Sequence, residues 1–375
     1  MSIKIEITEN GTKTLATSGK YCDSNIDIEV NVAGSGGEGF PEEAFNITGN
    51  CSYKFAYNGW NWFLDTYADR LNFVDITDAS NMFYKNNIQS FNHNIGFKEG
   101  KYMTSMFDSS SIRELDIKFT GNFSGEAMSS LFSNCYYLKL VGGIMFKDFD
   151  MSNFNTYKYG QQQMWFRNCY SLREIDDHFW DGVVVSRESS YGHLYNQLYY
   201  CCYALDRAFI PITENKTLND NCFDNTFYYV NRAKDILLQT DVNNAPKVVN
   251  WKSQTIDLTN KVGYDNSGST SGLTNYNSGI TRDKQVKDDA TYQALKNDPD
   301  WFATKEAYSR YNHDSAVNTI NSLPDTSAYL ATAGGTNTIK FKGSAGSATD
   351  GGAINTLTEA EIAVAAAKGW TVTLT

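Results

Sequence analysis

Proline is scarce in this chain, with 5 in 375 residues, and histidine scarcer still, with 4 (His93, His178, His193 and His313). The histidines are scattered, without the HExxH or His-x-His spacing of a metal site, so none is expected. The seven cysteines (Cys22, Cys51, Cys135, Cys169, Cys201, Cys202 and Cys222) are odd in number and contain no CxxC pair. Neither a disulfide framework nor a zinc site has that pattern, and they read as mostly buried thiols. Basic charge is also short: 32 Lys and Arg against 43 Asp and Glu leave a formal net charge of −11. Such a surface argues against a nucleic-acid partner and disfavours electrostatic docking on an anionic membrane. No segment approaches the ~20 apolar residues of a membrane helix, so no membrane insertion is expected. The opening MSIKIEITENG has neither the basic start nor the apolar stretch of a signal peptide, which predicts a protein made and left, at least at first, in a cytoplasm.

What the chain has in excess is aromatic: 24 Tyr, 22 Phe and 7 Trp, within a composition that is 41% hydrophobic and so rich enough to pack. Abundant Gly, Asn, Ser and Thr give a turn-rich makeup that favours β structure over a helical bundle. At this length two or three domains, or a solenoid, are expected.

Residues 1–33 read as a small β module. In IKIEITENGTKTLAT an Asn-Gly turn separates two short alternating runs, a hairpin signal, and NIDIEVNV then alternates Ile26, Ile28, Val30 and Val32 on one face. So few residues build no independent core, so the module is expected to lean on a partner chain or on copies of itself. Residues 34–40, within AGSGGEG and its continuation, read as a flexible linker.

From about residue 60 a pattern recurs. LFSNCYYL and WFRNCYSL share it, and aligning on the aromatic gives Phe83, Phe107, Phe132, Phe166, Tyr199 and Phe223. Met82, Met106 and Leu131 precede it; Cys135, Cys169 and Cys202 follow at +3; Leu138, Leu172 and Leu205 follow at +6. In the two early copies Ile88 and Ile112 take the Leu place and the Cys is missing. Phe91, Leu115, Val141, Ile175 and Ala208 come three residues later, and LNFVDI (Leu71 to Ile76) reads as the strand half of a preceding copy. The first part suits one face of a short helix or turn, the tail a short strand with alternating inward side chains. One such unit cannot bury its apolar residues alone, whereas stacked units share a continuous core. The Cys place needs only a small, nearly apolar side chain.

SSLFSNCYYLKLV and QMWFRNCYSLREI resemble the BspA-type leucine-rich repeat, M-x-x-M-F-x-x-C-x-x-L-x-x-L-x-L, over roughly residues 60–245. The sixth copy departs from it, with Tyr229 and Arg232 where Leu residues are expected. The N-terminal ITENGTKTLATSGKYCDSNIDIEVNV is similar to the attachment module that opens tail and minor structural proteins of phages infecting Firmicutes and other gut bacteria. The C-terminal AVNTINSLPDTSAYL, NTIKFKG and DGGAINTLTEAEIAVAAAKGWTVTL resemble the closing segment of phage-encoded BspA-type proteins. The resemblance implies an α/β fold: a BspA-type leucine-rich-repeat solenoid over 41–245, preceded by the β module. Residues 246–375 are then degenerate repeats, a polar loop (Val262 to Gly279) and a helix–strand cap. In that last part, two helical pieces broken at Asp298-Pro299, a helix stopped by Pro324, a strand at NTIKFKG, a helix capped by Thr358 and Glu361 and ended at Gly369, and a final strand WTVTLT are expected.

The function implied is that of a virion protein, a tail fibre, baseplate or receptor-binding component that acts at the host surface. Its expected partners are a host cell-surface glycan or protein, other virion proteins through residues 1–33, and further copies of itself. The alternatives are a purely structural virion protein, a bacterial surface adhesin, which the missing export signal disfavours, and a polysaccharide depolymerase. No cofactor is expected, and catalysis is not: Asp176-Asp177 and Asp288-Asp289 are adjacent pairs, which on a strand point to opposite faces. GSGGEG lacks the Lys-Ser/Thr of a phosphate loop, and Cys201-Cys202 reads as two thiols facing opposite ways. The candidate ligand-binding residues are Tyr136, Tyr170 and Tyr203, each directly after the Cys place, with Phe227 as their counterpart in the sixth copy. The BspA-type unit has a small polar turn residue there, which implies exposure; the other reading is that the rings fill gaps between units. Stacked at about 4.8 Å, four rungs span on the order of 15 Å, the length of a few sugar rings.

Overall fold

The computed structural model describes the strands 5–9, 12–16 and 28–29, most of 45–259, and residues 311–342 and 357–375. The linker, the polar loop, Cys22 and the two helical pieces expected over 288–310 lie outside the described residues. Among the described residues the architecture is mixed α/β, with mostly parallel strands, few helices and no sheet closed into a barrel. Among the described residues no helix is long and apolar enough to cross a membrane.

The expected hairpin strands are β1 (Ile5–Glu9) and β2 (Thr12–Ala16), paired antiparallel. After β3 (Ile28–Glu29) the chain alternates strands with tight turns. β4 (Phe45–Asn50) leads through a turn to helix α1 (Asn61–Thr66), and β5 (Leu71–Asp78) through a turn to β6 (Ser90–Phe91). In the same way β7 (Ile95–Tyr102) precedes β8 (Glu114–Leu115), β9 (Phe119–Ala127) precedes β10 (Leu140–Val141), and β11 (Phe149–Asp150) precedes β12 (Glu174–Ile175). A further turn leads to β13 (Arg207–Ile210), and β14 (Thr217–Leu218) leads to β15 (Asp235–Leu238). The long strands β4, β5, β7 and β9, with two-residue β11 at one edge, form one parallel sheet, with β3 antiparallel at its other edge; the short strands β6, β8, β10 and β12 form a second parallel sheet, and β13 pairs parallel with β15.

The copies at Phe83, Phe107, Phe132, Phe166 and Phe227 therefore have two strands each, not one. LNFVDI, inside β5, is not the strand half of a preceding copy; it pairs with β7 in the long-strand sheet and introduces its own turn. The tails after the Cys place do form the short strands.

Between the two sheets the turns are themselves laddered. In the first copy the amides of Cys51, Tyr53, Phe55 and Tyr57 donate to the carbonyls of Asp78, Ser80, Met82 and Tyr84. The same register continues through Phe83 to Met106, Phe107 to Leu131, Phe132 to Trp165, Phe166 to Leu198 and Tyr199 to Thr226. This ladder puts Phe55, Phe83, Phe107, Phe132, Phe166, Tyr199 and Phe227 in one column. Their rings stack one on the next, from 5.0 Å at Phe83–Phe107 to 6.3 Å at Tyr199–Phe227, and Phe132 and Phe166 are fully buried as expected.

Two expectations are corrected by that column. The repeats begin a copy earlier, at Phe55, where buried Lys54 stands in place of the usual Met or Leu. The sixth aromatic of the sequence alignment is Phe227, not Phe223, which stacks on Tyr195 instead. Counted from Phe227, the buried Val230, Ala233 and Ile236 fall at +3, +6 and +9, so the apparent degeneracy at Tyr229 and Arg232 was a register error of four residues.

The Cys place is more demanding than a small apolar socket. Sγ of Cys135, Cys169 and Cys202 donates to the carbonyl of Phe107, Phe132 and Phe166, one copy earlier, at 3.0, 3.1 and 2.9 Å. Each of those carbonyls already accepts the amide three residues on, so the thiol fills the second lone pair. In the second copy Asn86 does the same, donating Nδ2 to the Phe55 carbonyl at 2.7 Å. Burial pushes the Cys135 thiol up to about 12 and those of Cys169 and Cys202 well above their ordinary value, so they sit as neutral donors. Cys169→Val removes the donor and adds about one methyl group of volume. It is expected to cost about 0.5–1.5 kcal/mol in urea unfolding; no loss would mean that volume alone sets the residue.

The C-terminal part continues the parallel order. β16 (Asn250–Trp251) pairs with β14, and β17 (Thr255–Asp257), β18 (Asn337–Phe341) and β19 (Trp370–Leu374) form a parallel sheet. Helices α2 (His313–Ser322), α3 (Ser327–Ala333) and α4 (Glu359–Ala367) connect them. The expected helices before Pro324 and Gly369 and both expected strands are present, and α3 is an additional helix. Buried Gln254 and Asn337 stitch this part to the repeats: Gln254 Oε1 accepts from the Cys222 amide, and Asn337 Oδ1 from the Gln254 amide, both at 3.0 Å.

Thr358 and Glu361 form the expected capping box on α4. The Thr358 amide, first, and then the Thr358 hydroxyl and His313 hold the Glu361 carboxyl below its ordinary value. A depressed carboxylate contributes stability that is present above the unfolded pKa, about 4.3, and is lost as pH falls through the folded one. The Thr358 amide resonance should therefore titrate with a midpoint below ~4.3; a midpoint at or above that value would show that the box does not hold the ionised form.

Candidate functional site

The four aromatic candidates do not form an exposed ladder. Tyr136 and Tyr170 do stack, with centroids 5.0 Å apart and planes at 26°, but Tyr136 is 9% exposed and Tyr170 0%. Each ring covers a face of the other, so the turn after the Cys place is packed. Phe227 is a core residue for the register reason given above, and Tyr203 lies outside the described residues. The gap-filling alternative describes Tyr136 and Tyr170 better.

A different strip of side chains runs along the copies at the two residues that follow the core aromatic. By the amide ladder, Tyr84, Asp108, Ser133, Arg167, Tyr200 and Tyr228 stand in one row, and Tyr57, Lys85, Ser109, Asn134, Asn168 and Cys201 in the next. The second row is left-handed throughout, with φ from 53° at Lys85 to 63° at Tyr57. Its backbone is turned there, and in the first row Ser133 alone is buried. Tyr84, Asp108, Arg167, Tyr200 and Tyr228 are half-buried.

The strip is aromatic at both ends and polar between. At the start, exposed Tyr53 and Tyr57 meet the ring of Tyr84 edge to face at 6.2 and 5.8 Å, and Lys85 Nζ lies 4.7 Å from the Tyr84 centroid. In the middle an amide chain links copies: Asn168 Nδ2 donates to Asn134 Oδ1 at 2.8 Å, and Asn134 Nδ2 to Asp108 Oδ1 at 2.9 Å. Burial raises the pKa of the Asp108 carboxyl, against the hydrogen bonds from Asn134 and Ser109, which lower it. At the far end Tyr200 and Tyr228 stack at 4.9 Å and 5°, with the Arg167 guanidinium 5.7 Å from the Tyr200 centroid. Ring faces, amides and hydroxyls are groups that bind by stacking and hydrogen bonding.

The sequence held a signal for this strip. Phe83-Tyr84, Tyr199-Tyr200 and Phe227-Tyr228 each place a tyrosine directly after the core aromatic, a pairing visible only once Phe227 anchors its copy.

The acidic and thiol pairs weighed for chemistry are unremarkable where they are described. Asp176 accepts the His178 amide at 2.8 Å in a local turn, and Cys201 and Cys202 are both buried thiols. Asp177, Asp288 and Asp289 lie outside the described residues. Among the described residues no group of three or more His, Cys, Asp or Glu is placed to hold a metal ion. No protein-family model matches this chain, and no curated protein and no solved structure is significantly similar to it.

Proposed function

We propose that the chain is a non-enzymatic phage virion protein of the tail or baseplate that recognises the host cell surface, and that its copies form a BspA-type leucine-rich-repeat solenoid. What supports the solenoid is the amide ladder that carries one register from Phe55 to Phe227 through every copy. The observation that carries the recognition reading is the strip beside that ladder, with half-buried tyrosines at both ends and the hydrogen-bonded chain of Asp108, Asn134 and Asn168 between them. Its stacking and hydrogen-bonding groups suit a surface glycan or protein, and an acidic chain facing an anionic wall polymer relies on such contacts rather than on charge. The small N-terminal hairpin module is the proposed attachment point to other virion proteins.

Electron microscopy of virions labelled with antibody against this protein tests the role. Label at the tail tip or baseplate, with loss of adsorption when the antibody is bound, is the expected result. Label confined to the head, or adsorption unchanged by bound antibody, would favour a purely structural virion protein instead.

A further inference from the structure

The C-terminal sheet runs in the order β17, β18, β19, and among the described residues β19 pairs with β18 alone. Its other edge is open. The Thr375 amide donates to the Phe341 carbonyl of β18 at 3.1 Å. Backbone groups alternate in direction along a strand, so those of Thr371 and Thr373 also face β18, while the N–H and C=O groups of Val372 and Leu374 point outward. Among the described residues these outward groups make no hydrogen bond.

Such an edge is a template for a further strand, and sheets commonly blunt it with lysine, proline, a bulge or a covering segment. The long-strand sheet is covered in this way, with β3 lying antiparallel on β4. In β19 the reverse holds. Its sequence, WTVTL, has no charge and no proline, and its register with β18 runs without a shift. Its three central residues are β-branched, the type that sheets favour. One face of the strand is also only half covered. Trp370, Val372 and Leu374 share that face, where Trp370 is 2% exposed and Leu374 is 39% exposed.

The order of side chains says what would fit the edge. WTVTL reads alike in kind from either end: a large apolar residue, threonine, valine, threonine, a large apolar residue. A strand laid antiparallel on it with Val372 at the centre therefore meets its own pattern. Val372 lies opposite Val372 of the partner subunit, Thr371 opposite the partner's Thr373, and Leu374 opposite the partner's Trp370. Side chains of matching character then face each other across the pair, and the outward backbone groups fall in register to exchange hydrogen bonds. Self-complementarity of this kind is what a twofold axis demands, whereas a strand of an unrelated protein has no need of it.

We propose that the chain forms a twofold dimer by antiparallel pairing of β19 with β19 of a second molecule. The pairing is independent of the host-recognition reading.

Sedimentation velocity of the full chain from about 1 μM to about 1 mM is the test, because so short a strand pair buries little area and binds weakly. The parent should pass from monomer to dimer over that range and go no further. Val372→Pro should move the transition about tenfold or more toward higher concentration. Its amide takes no part in the bonds to β18, so proline there removes only the bond between molecules. Thr371, exposed, and Thr373, half-buried, give a second reading from the opposite face. Thr371→Lys with Thr373→Lys sets like charges opposite each other across the axis and should abolish the dimer. Thr371→Lys with Thr373→Glu sets opposite charges there and should retain it. A parent that stays monomeric, which would leave the edge to a strand of another protein, overturns the proposal. So does a dimer indifferent to the substitutions, equal behaviour of the two charge variants, or association beyond a dimer.

Discussion

Gly121→Ala is expected to cost about 3 kcal/mol or more, the sum of a strained backbone and a direct clash. Gly121 has φ +82° inside β9, and a Cβ built on it would lie 1.9 Å from the Phe97 carbonyl oxygen. Neither side can yield easily, because Gly121 is paired with Phe97 of β7 on one side and Phe149 of β11 on the other. Gly49 in β4 is the control. Its φ is +73° but a Cβ there would meet nothing within 4 Å, so Gly49→Ala should cost only the left-handed penalty, about 1–2 kcal/mol. Urea unfolding of the two variants measures the difference. Equal costs would mean that the Gly121 contact relaxes, and that the long-strand sheet is looser than its register indicates.

Phe132→Ala should cost about 3–5 kcal/mol, in the range for emptying a buried phenylalanine site. The ring is fully buried and stacked on both faces, against Phe107 at 5.8 Å and 22° and Phe166 at 5.4 Å and 17°. The loss should also be local, because stacked copies depend on their immediate neighbours. Hydrogen exchange followed by mass spectrometry should show lost protection in the turns around Phe107, Phe132 and Phe166 first, with β17, β18 and β19 protected as in the parent. A cost under about 1 kcal/mol would remove the column from the core. Uniform loss of protection over the whole chain would show a single cooperative unit instead.

Much of the fold was legible because its signals are local. The Asn-Gly hairpin, the Thr358 and Glu361 capping box, the stop before Pro324 and Gly369 each depend on a few consecutive residues, and each is where the sequence put it. The recurrence of an aromatic with Cys at +3 and Leu at +6 located the core of the central copies, because a place that repeats is a place that stacks. The copy at Phe55 escaped because it carries Lys54, Tyr57 and no Cys, so only its hydrogen bonds to the next copy identify it.

The candidate site was legible only in kind. Of the chosen row, Tyr136, Tyr170 and Phe227 are buried, and the half-buried tyrosines stand three residues earlier in their copies, at the place directly after the core aromatic.

The amino-acid sequence alone determined the turns, the caps, the identity of the repeating apolar places and the acidic, aromatic character of the chain, since these follow from short-range chemistry. Tertiary structure decided the rest. Phe223 and Phe227 are equally able to fill a core, and only the amide ladder from Tyr199 selects Phe227. The long strands, interrupted by glycines and charged residues such as those of IGFKEGKY, are held by pairing with strands some twenty-five residues away rather than by their own propensity. Which tyrosines meet solvent depends on the direction of a left-handed turn relative to the next copy, and that direction exists only once the copies are stacked.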